Sequence, residues 1–148
     1  MQSEKYEVKN GKRMTLENPW NELQERLLDF AVRIGSVVNA LPGTRLGKHI
    51  AGQLVRCGTS APPNCAEACG AESKKDFVHK LGICLKELRE SCVWLRLIIK
   101  SQMLTDTRRN PLLDEGTQLT NIIGKSIATA KGTAKSPSTP SPSQKRPP

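Results

Sequence analysis

The sequence predicts an all-α protein: an antiparallel up-down four-helix bundle followed by a disordered basic C-terminal tail. Two long segments carry apolar residues at gaps that alternate between three and four. This is the spacing of helices that pack lengthwise against one another. The connections between the helical segments are short, which favours antiparallel neighbours. Aromatic residues make up only 3% of the chain, so Leu, Ile, Val, Ala and Cys must fill the core.

The chain divides into a flexible N-terminal arm (1–17), the bundle (18–130) and a Lys/Ser/Pro-rich tail (131–148). The tail contains no acidic residue, and its composition cannot bury a core. No apolar run reaches the length of a membrane span, and the arm lacks the apolar region of a secretory signal. We therefore expect a cytoplasmic protein without a membrane partner, whose five cysteines are reduced.

The first helix is predicted to begin at Asn18, whose side chain can cap it, with Pro19 at the first helical position. Pro42-Gly43 ends it. Its apolar seam has the alternating spacing of a bundle helix. The seam residues are Trp20, Leu23, Leu27, Phe30, Ile34, Val37 and Leu41.

The second helix is predicted from about Thr44 to Ala68, with Gly70 closing it. It is rich in Gly and Ala, which would let neighbouring backbones approach closely. Because prolines remove N–H donors and clash with the preceding turn, Pro62-Pro63 predicts a kink or break near residues 59–62.

The third helix is predicted from Ser73, whose side chain can cap it and whose spacing to Asp76 suits a capping box. The segment to Met103 would be about 45 Å long, which suits one rod of a bundle. Its predicted seam is Val78, Leu81, Leu85, Leu88, Cys92, Leu95 and Ile99.

After a predicted turn over residues 105–111, a fourth helix is expected from about Leu112 to Ala130. Its pattern is weaker than those of the other three, since two glycines interrupt it. The residues expected to face inward are Leu112, Leu119, Ile122, Ile123 and Ile127.

Four apolar residues of the third helix fall at positions that point away from its seam: Ile83, Val93, Trp94 and Leu97. Soluble monomers rarely expose such a strip, so we interpret it as a subunit interface of a homo-oligomer. The alternative is that a kinked second helix or the N-terminal arm covers the strip within one subunit.

The formal net charge of +9 favours polyanionic partners, RNA or DNA first. Arg45, Lys48 and Arg56 share one stripe of the second helix, with His49 beside them, and no acidic residue occurs between Asp29 and Glu67. Such a stripe is a candidate phosphate-backbone contact with little sequence specificity. The alternative is a solvated helix face.

Asn64 and Glu67 interrupt the apolar pattern late in the second helix. The interpretation we favour is structural: together with Ser73 and Asp76 they would organise the start of the third helix or link the two helices. The alternative is a direct binding role.

The sequence predicts no enzyme and no cofactor. No nucleophile–base set and no glycine-rich phosphate loop is present. Cys65 and Cys69, with His79 and Cys84 on the next helix, could hold a metal ion, but no paired CxxC accompanies them. We therefore expect no metal site.

Several short motifs resemble one known family. They include Leu41-Pro42, Gln53-Leu54-Val55-Arg56, Asn64-Cys65-Ala66-Glu67, Lys74-Lys75-Asp76-Phe77 and Trp94-Leu95. In this order and spacing they resemble the four-helix-bundle proteins encoded in intervening sequences of bacterial large-subunit ribosomal RNA genes. The superfamily also contains the accessory variability proteins of diversity-generating retroelements. Ala68-Cys69-Gly70 departs from the family, which has glycine directly after the Asn-x-Ala-Glu motif.

This resemblance implies an antiparallel bundle that assembles into a homo-oligomer, a barrel-like pentamer in characterised relatives. For the retroelement branch it also implies a basic assembly that binds RNA or DNA and works with a reverse transcriptase. The hypothesis that follows is an accessory to a reverse-transcribing or ribosomal ribonucleoprotein. Two functions therefore stay open: a non-catalytic oligomer that binds nucleic acid through basic surface, and a protein–protein scaffold module without nucleic-acid binding.

Overall fold

The computed structural model describes residues 6–9, 12–15, 18–105 and 109–132. Its helices are α1 (Pro19–Ala40), α2 (Arg45–Cys69), α3 (Lys74–Lys100) and α4 (Arg109–Ala130). Each helix contacts the next along the chain, and α4 closes the ring against α1. The predicted four-helix bundle is thus confirmed.

Two short strands, β1 (Tyr6–Lys9) and β2 (Lys12–Thr15), precede the bundle. They pair antiparallel, with Tyr6 opposite Thr15. Within the described residues this hairpin contacts no helix. The flexible arm remains a prediction for residues 1–17, and the predicted disordered tail lies outside the described residues from position 133 onward.

Contacts across the bundle show that α2 and α3 run antiparallel. Near their connection, Glu67 of α2 accepts a hydrogen bond from Lys80 of α3 at 2.7 Å. At the far end, His49 of α2 meets Trp94 of α3, with ring centroids 5.8 Å apart. Residue numbers therefore rise along one helix as they fall along the other.

All four helices contribute side chains to the core. Its largest fully buried side chains include Phe30, Ile50, Leu88 and Leu119, one from each helix. Close approach between helices depends on two glycines. A Cβ at Gly58 would lie 2.8 Å from Ile34 of α1, and one at Gly116 would lie 2.9 Å from the Cys92 sulfur.

The predicted break in the second helix is wrong, because α2 continues through Pro62 and Pro63. The alternative, a kink near residues 59–62, stays a prediction. Pro62 is buried, and buried residues on both sides, Ala61 and Cys65, hold the flanking turns in the core. Two missing N–H donors therefore do not end the helix, since packing outweighs their local cost.

The buried face of α3 is rotated from the predicted seam. Leu81, Leu88 and Leu95 are fully buried as expected, but Cys84 and Ile98 are buried as well. The other predicted members, Val78, Leu85, Cys92 and Ile99, are only partly buried. The reason is that α3 packs between α2 and α4 but contacts α2 more extensively, so its buried face turns toward α2.

The fourth helix starts at Arg109, three residues before the predicted position. Pro111 falls in its first turn, where proline is tolerated because the N–H groups lack helical partners there. Leu112, Leu119 and Ile123 are buried as predicted, and Ile122 and Ile127 pack against the core.

Candidate nucleic-acid interface

The residues predicted on α2 to bind nucleic acid lie in two different environments. Arg45, Lys48 and His49 are exposed near the start of the helix. Since α2 and α3 are antiparallel, this start lies beside the end of α3, where the rings of His49 and Trp94 form a T-shaped contact. The three residues therefore form one exposed basic corner of the bundle.

Arg56 lies apart from this corner and faces α3. Its Nη1 donates to Glu87 at 3.3 Å, and its Nη2 contacts Glu90 and Gln53. The indole Nε1 of Trp94 also donates to Glu90, at 3.3 Å. The Arg56 side chain is 50% exposed, whereas the Glu87 side chain is 13% exposed. The guanidinium of Arg56 is thus committed to two carboxylates.

A row of exposed cations that the sequence interpretation missed runs along the outer surface of α3. We call it the cation row. It consists of Lys75, Lys86, Arg89, Arg96 and Lys100. Their separations of eleven, three, seven and four residues place them on one side of the helix, over about 37 Å. Within the described part of the chain, no ion pair involves a row residue.

Charge is distributed unequally around the ring of helices. Helices α2 and α3 carry ten Lys or Arg and four Asp or Glu, a net charge of +6. Helices α1 and α4 carry four Lys or Arg and five Asp or Glu, a net charge of −1. One side of the bundle is therefore strongly basic, and the opposite side is nearly neutral.

A sequence signal for the cation row existed, because its spacing has helical periodicity. In the sequence, however, Glu87 and Glu90 alternate with Lys86 and Arg89, so this part of α3 reads as a segment of mixed charge. Only the structure shows that these carboxylates turn toward α2 and meet Arg56.

The predicted interface strip on α3 is largely covered within one subunit. Trp94 and Leu97 pack against the core, and Ile83 is half-buried. Val93 is 57% exposed, and it lies among the cations of the row. The larger apolar exposure is elsewhere: Leu28, Val32, Leu46 and Val55 are the exposed large apolar residues of α1 and α2. An apolar groove beside Leu28 is lined by Pro62, Pro63 and Ala66.

The four residues assigned a structural role connect α2 and α3 only in part. Ser73 Oγ caps α3 by accepting from the Asp76 N–H at 3.1 Å. Glu67 links the helices through Lys80, whose pKa this hydrogen bond raises. Asn64 instead donates to the Ser60 carbonyl of its own helix at 2.8 Å.

The cysteines behave mainly as core residues. Cys57, Cys65 and Cys84 are buried, Cys92 is partly buried, and Cys69 is exposed. Burial raises the pKa of Cys57 and of Cys92, and a hydrogen bond with Cys65 together with burial raises the pKa of Cys84. Within the described residues, no group of three or more His, Cys, Asp or Glu is placed to hold a metal ion.

The profile of the family described as 23S rRNA-intervening sequence protein matches residues 21–125. The chain belongs to this family. A similar solved structure is a protein of unknown function from the S23 ribosomal protein family of Bacteroides thetaiotaomicron, 31% identical with a TM-score of 0.65. The match covers 71% of this chain and 97% of that one.

No protein of curated function matches this member of the 23S rRNA-intervening sequence family. Among its described helices, none combines the length and the hydropathy that a membrane span requires.

Proposed function

We propose that this protein is a non-catalytic, homo-oligomeric helical bundle that binds nucleic acid through its basic surface. The observation that carries the proposal is the cation row on α3, on the side of the bundle with a net charge of +6. Exposed, unpaired Lys and Arg side chains bind phosphates by releasing counterions, without reading base sequence. The basic corner formed by Arg45, Lys48 and His49 extends this surface onto α2.

The proposal favours duplex or structured RNA or DNA over extended single strands. Single-strand binders combine cations with exposed aromatic side chains on which bases stack. On this basic side, Trp94 is partly buried against the core and His49. The family description makes RNA the first probe to use, and the proposed cellular role is accessory to a ribosomal ribonucleoprotein or a reverse transcriptase.

Two matched double variants test this function. Lys86→Gln with Arg89→Gln removes two charges from the cation row. Arg33→Gln with Lys125→Gln removes one Lys and one Arg from exposed positions of α1 and α4. Binding to a mixed-sequence RNA duplex is measured by fluorescence anisotropy across a salt series.

For five phosphate contacts, the slope of log K against log salt is expected to be about −4.5 in the native protein. The row variant removes two of these contacts, so its slope should be about 1.8 less steep. The control variant should leave the slope within about 0.5 of the native value. Equal effects from the two variants would overturn the assignment of the site. A native protein that fails to bind at low salt would overturn the function itself.

Self-association is proposed through the α1–α2 side rather than through the predicted strip on α3. Apposing two copies through α3 would bring two cation rows together, which like-charge repulsion opposes. Leu28, Val32 and Val55 instead provide exposed apolar area with no comparable charge excess. Light scattering separates the two faces: Val32→Glu should dissociate the oligomer, and Val93→Glu should not. The reverse result would support the strip on α3 as the subunit interface.

The second candidate function is a protein–protein scaffold, and the same exposed apolar residues favour it. If it holds, Val32→Glu should abolish partner binding, whereas neutralising the cation row should have no effect on any interaction of the protein.

A further inference from the structure

We propose that Arg56 is a positioning residue of the nucleic-acid interface: it acts on the cation row by neutralising Glu87 and Glu90, and does not itself bind phosphate. This inference rests on the proposed nucleic-acid-binding function. It reassigns Arg56, which the sequence places among the phosphate-binding residues.

The first step is the position of the two acidic residues on α3. Arg89 lies three residues and Glu90 four residues after Lys86, so both neighbour Lys86 on the helix surface. A carboxylate at this distance normally competes for the Lys86 ammonium group. Among the described residues, however, neither Glu87 nor Glu90 pairs with a cation of α3.

The second step is the geometry of Arg56, which reaches both carboxylates from α2. The planar guanidinium uses one nitrogen for each: Nη1 for Glu87 at 3.3 Å and Nη2 for Glu90. A second contact from Trp94 Nε1 holds Glu90 on this flank of α3. Arg56 of α2 thus donates hydrogen bonds to both carboxylates of α3, and the neighbouring Lys86 and Arg89 stay exposed.

The third step concerns the hydrogen-bond donors of Arg56 that remain free for a phosphate. Its Nη2 also donates to Gln53, so both terminal nitrogens are already engaged within the protein. Binding a phosphate would require giving up a charge-assisted hydrogen bond, which is among the stronger contacts of this kind. With both pairs intact, Arg56, Glu87 and Glu90 together carry a net charge of −1, whereas removing Arg56 would leave a charge of −2 beside the row.

The experiment is a mutant cycle on duplex RNA affinity. It compares the native protein, Arg56→Met, Glu87→Gln with Glu90→Gln, and the triple variant that combines them. In the native background, Arg56→Met should weaken binding about fivefold at low ionic strength, because the released Glu90 then pairs with Lys86, four residues before it, and withdraws that cation from the phosphates. In the background with both glutamines, Arg56→Met should change affinity by less than about twofold.

A direct phosphate contact predicts the opposite: the loss from Arg56→Met would be the same in both backgrounds, and that result would overturn the proposal. An unchanged affinity for Arg56→Met in the native background would overturn it too. Arg56→Lys serves as the conservative variant, since it keeps one positive charge between the carboxylates and should bind within about twofold of native.

A loss of fold is recognised separately by the helical circular dichroism signal of each variant. If Arg56→Met proves unfolded, Arg56→Gln takes its place in the same cycle, because it removes the charge but keeps a polar side chain: equal losses in the two backgrounds contradict the proposal. The proposed function fails in a different way, through absence of salt-dependent binding by the native protein.

Discussion

Replacing Gly58 by Ala tests the packing of α1 against α2 most sharply. A Cβ at this position would lie 2.8 Å from Ile34 Cγ2, 3.0 Å from Cγ1 and 3.2 Å from its Cβ. Real Cβ atoms essentially never lie as close to a neighbour as the 2.8 Å contact, and the other two contacts are tighter than most. Ile34 is fully buried and β-branched, so its side chain cannot rotate away without cost. Relief therefore requires α1 and α2 to separate slightly.

The expected magnitude has two opposing parts. Alanine is favoured over glycine inside a helix by about 1 kcal/mol. Overpacking of a filled core costs about 1–3 kcal/mol, and the contact with the stiff Ile34 Cβ places Gly58 in the upper part of that range. We expect Gly58→Ala to lower the free energy of unfolding by about 1–2 kcal/mol.

Gly52→Ala on the same helix is the matched control, because a Cβ there meets nothing within 4 Å. It should raise the free energy of unfolding by up to about 1 kcal/mol. Both variants are compared with the native protein by urea denaturation at one fixed protein concentration, because the proposed self-association would make stability depend on concentration. If Gly58→Ala is as stable as Gly52→Ala, the close approach of the two helices is refuted.

Three further predictions concern a cap, an ion pair and a thiol. Ser73→Ala should cost about 1 kcal/mol in urea denaturation, because the Asp76 N–H loses its acceptor, and no loss would contradict the cap. The bidentate pair of Arg26 with Glu115 should show a coupling of about 1 kcal/mol in a double-mutant cycle with Arg26→Met and Glu115→Gln; additive effects would refute it. One thiol, Cys69, should react with Ellman's reagent in the native state, because it is exposed. Its rate should keep rising with pH beyond the pKa of an ordinary thiol, because the thiolate is the reactive form and partial burial raises the pKa of Cys69; Cys69→Ser should abolish that fast phase.

The sequence was sufficient to predict the helices, because two uninterrupted seams and the capping residues are local signals. Ser73 and the apolar run that follows it define α3 without reference to any other helix. The details that failed depend on packing. The continuity of α2 through Pro62 is decided by buried neighbours, and the rotation of α3 is decided by its position between two helices.

The candidate site shows the same limit more clearly. The net charge of +9 indicated a basic surface, and the exposed corner around Lys48 lies where the sequence placed it. The role of Arg56 could not be predicted, because its partners Glu87 and Glu90 are about thirty residues away and belong to another helix. A helical stripe of cations predicts a basic surface only if the acidic residues next to it are known to pair with other helices, because otherwise they would neutralise the stripe.

The most direct measurement of the central claim is the salt dependence of RNA duplex binding by the native protein. The cation row predicts that affinity falls steeply with salt, with a slope of log K against log salt near −4.5, and that Lys86→Gln with Arg89→Gln brings it to about −2.7. A slope near zero, or a native slope in that double variant, would contradict the assignment of the basic surface of α3 to phosphate binding.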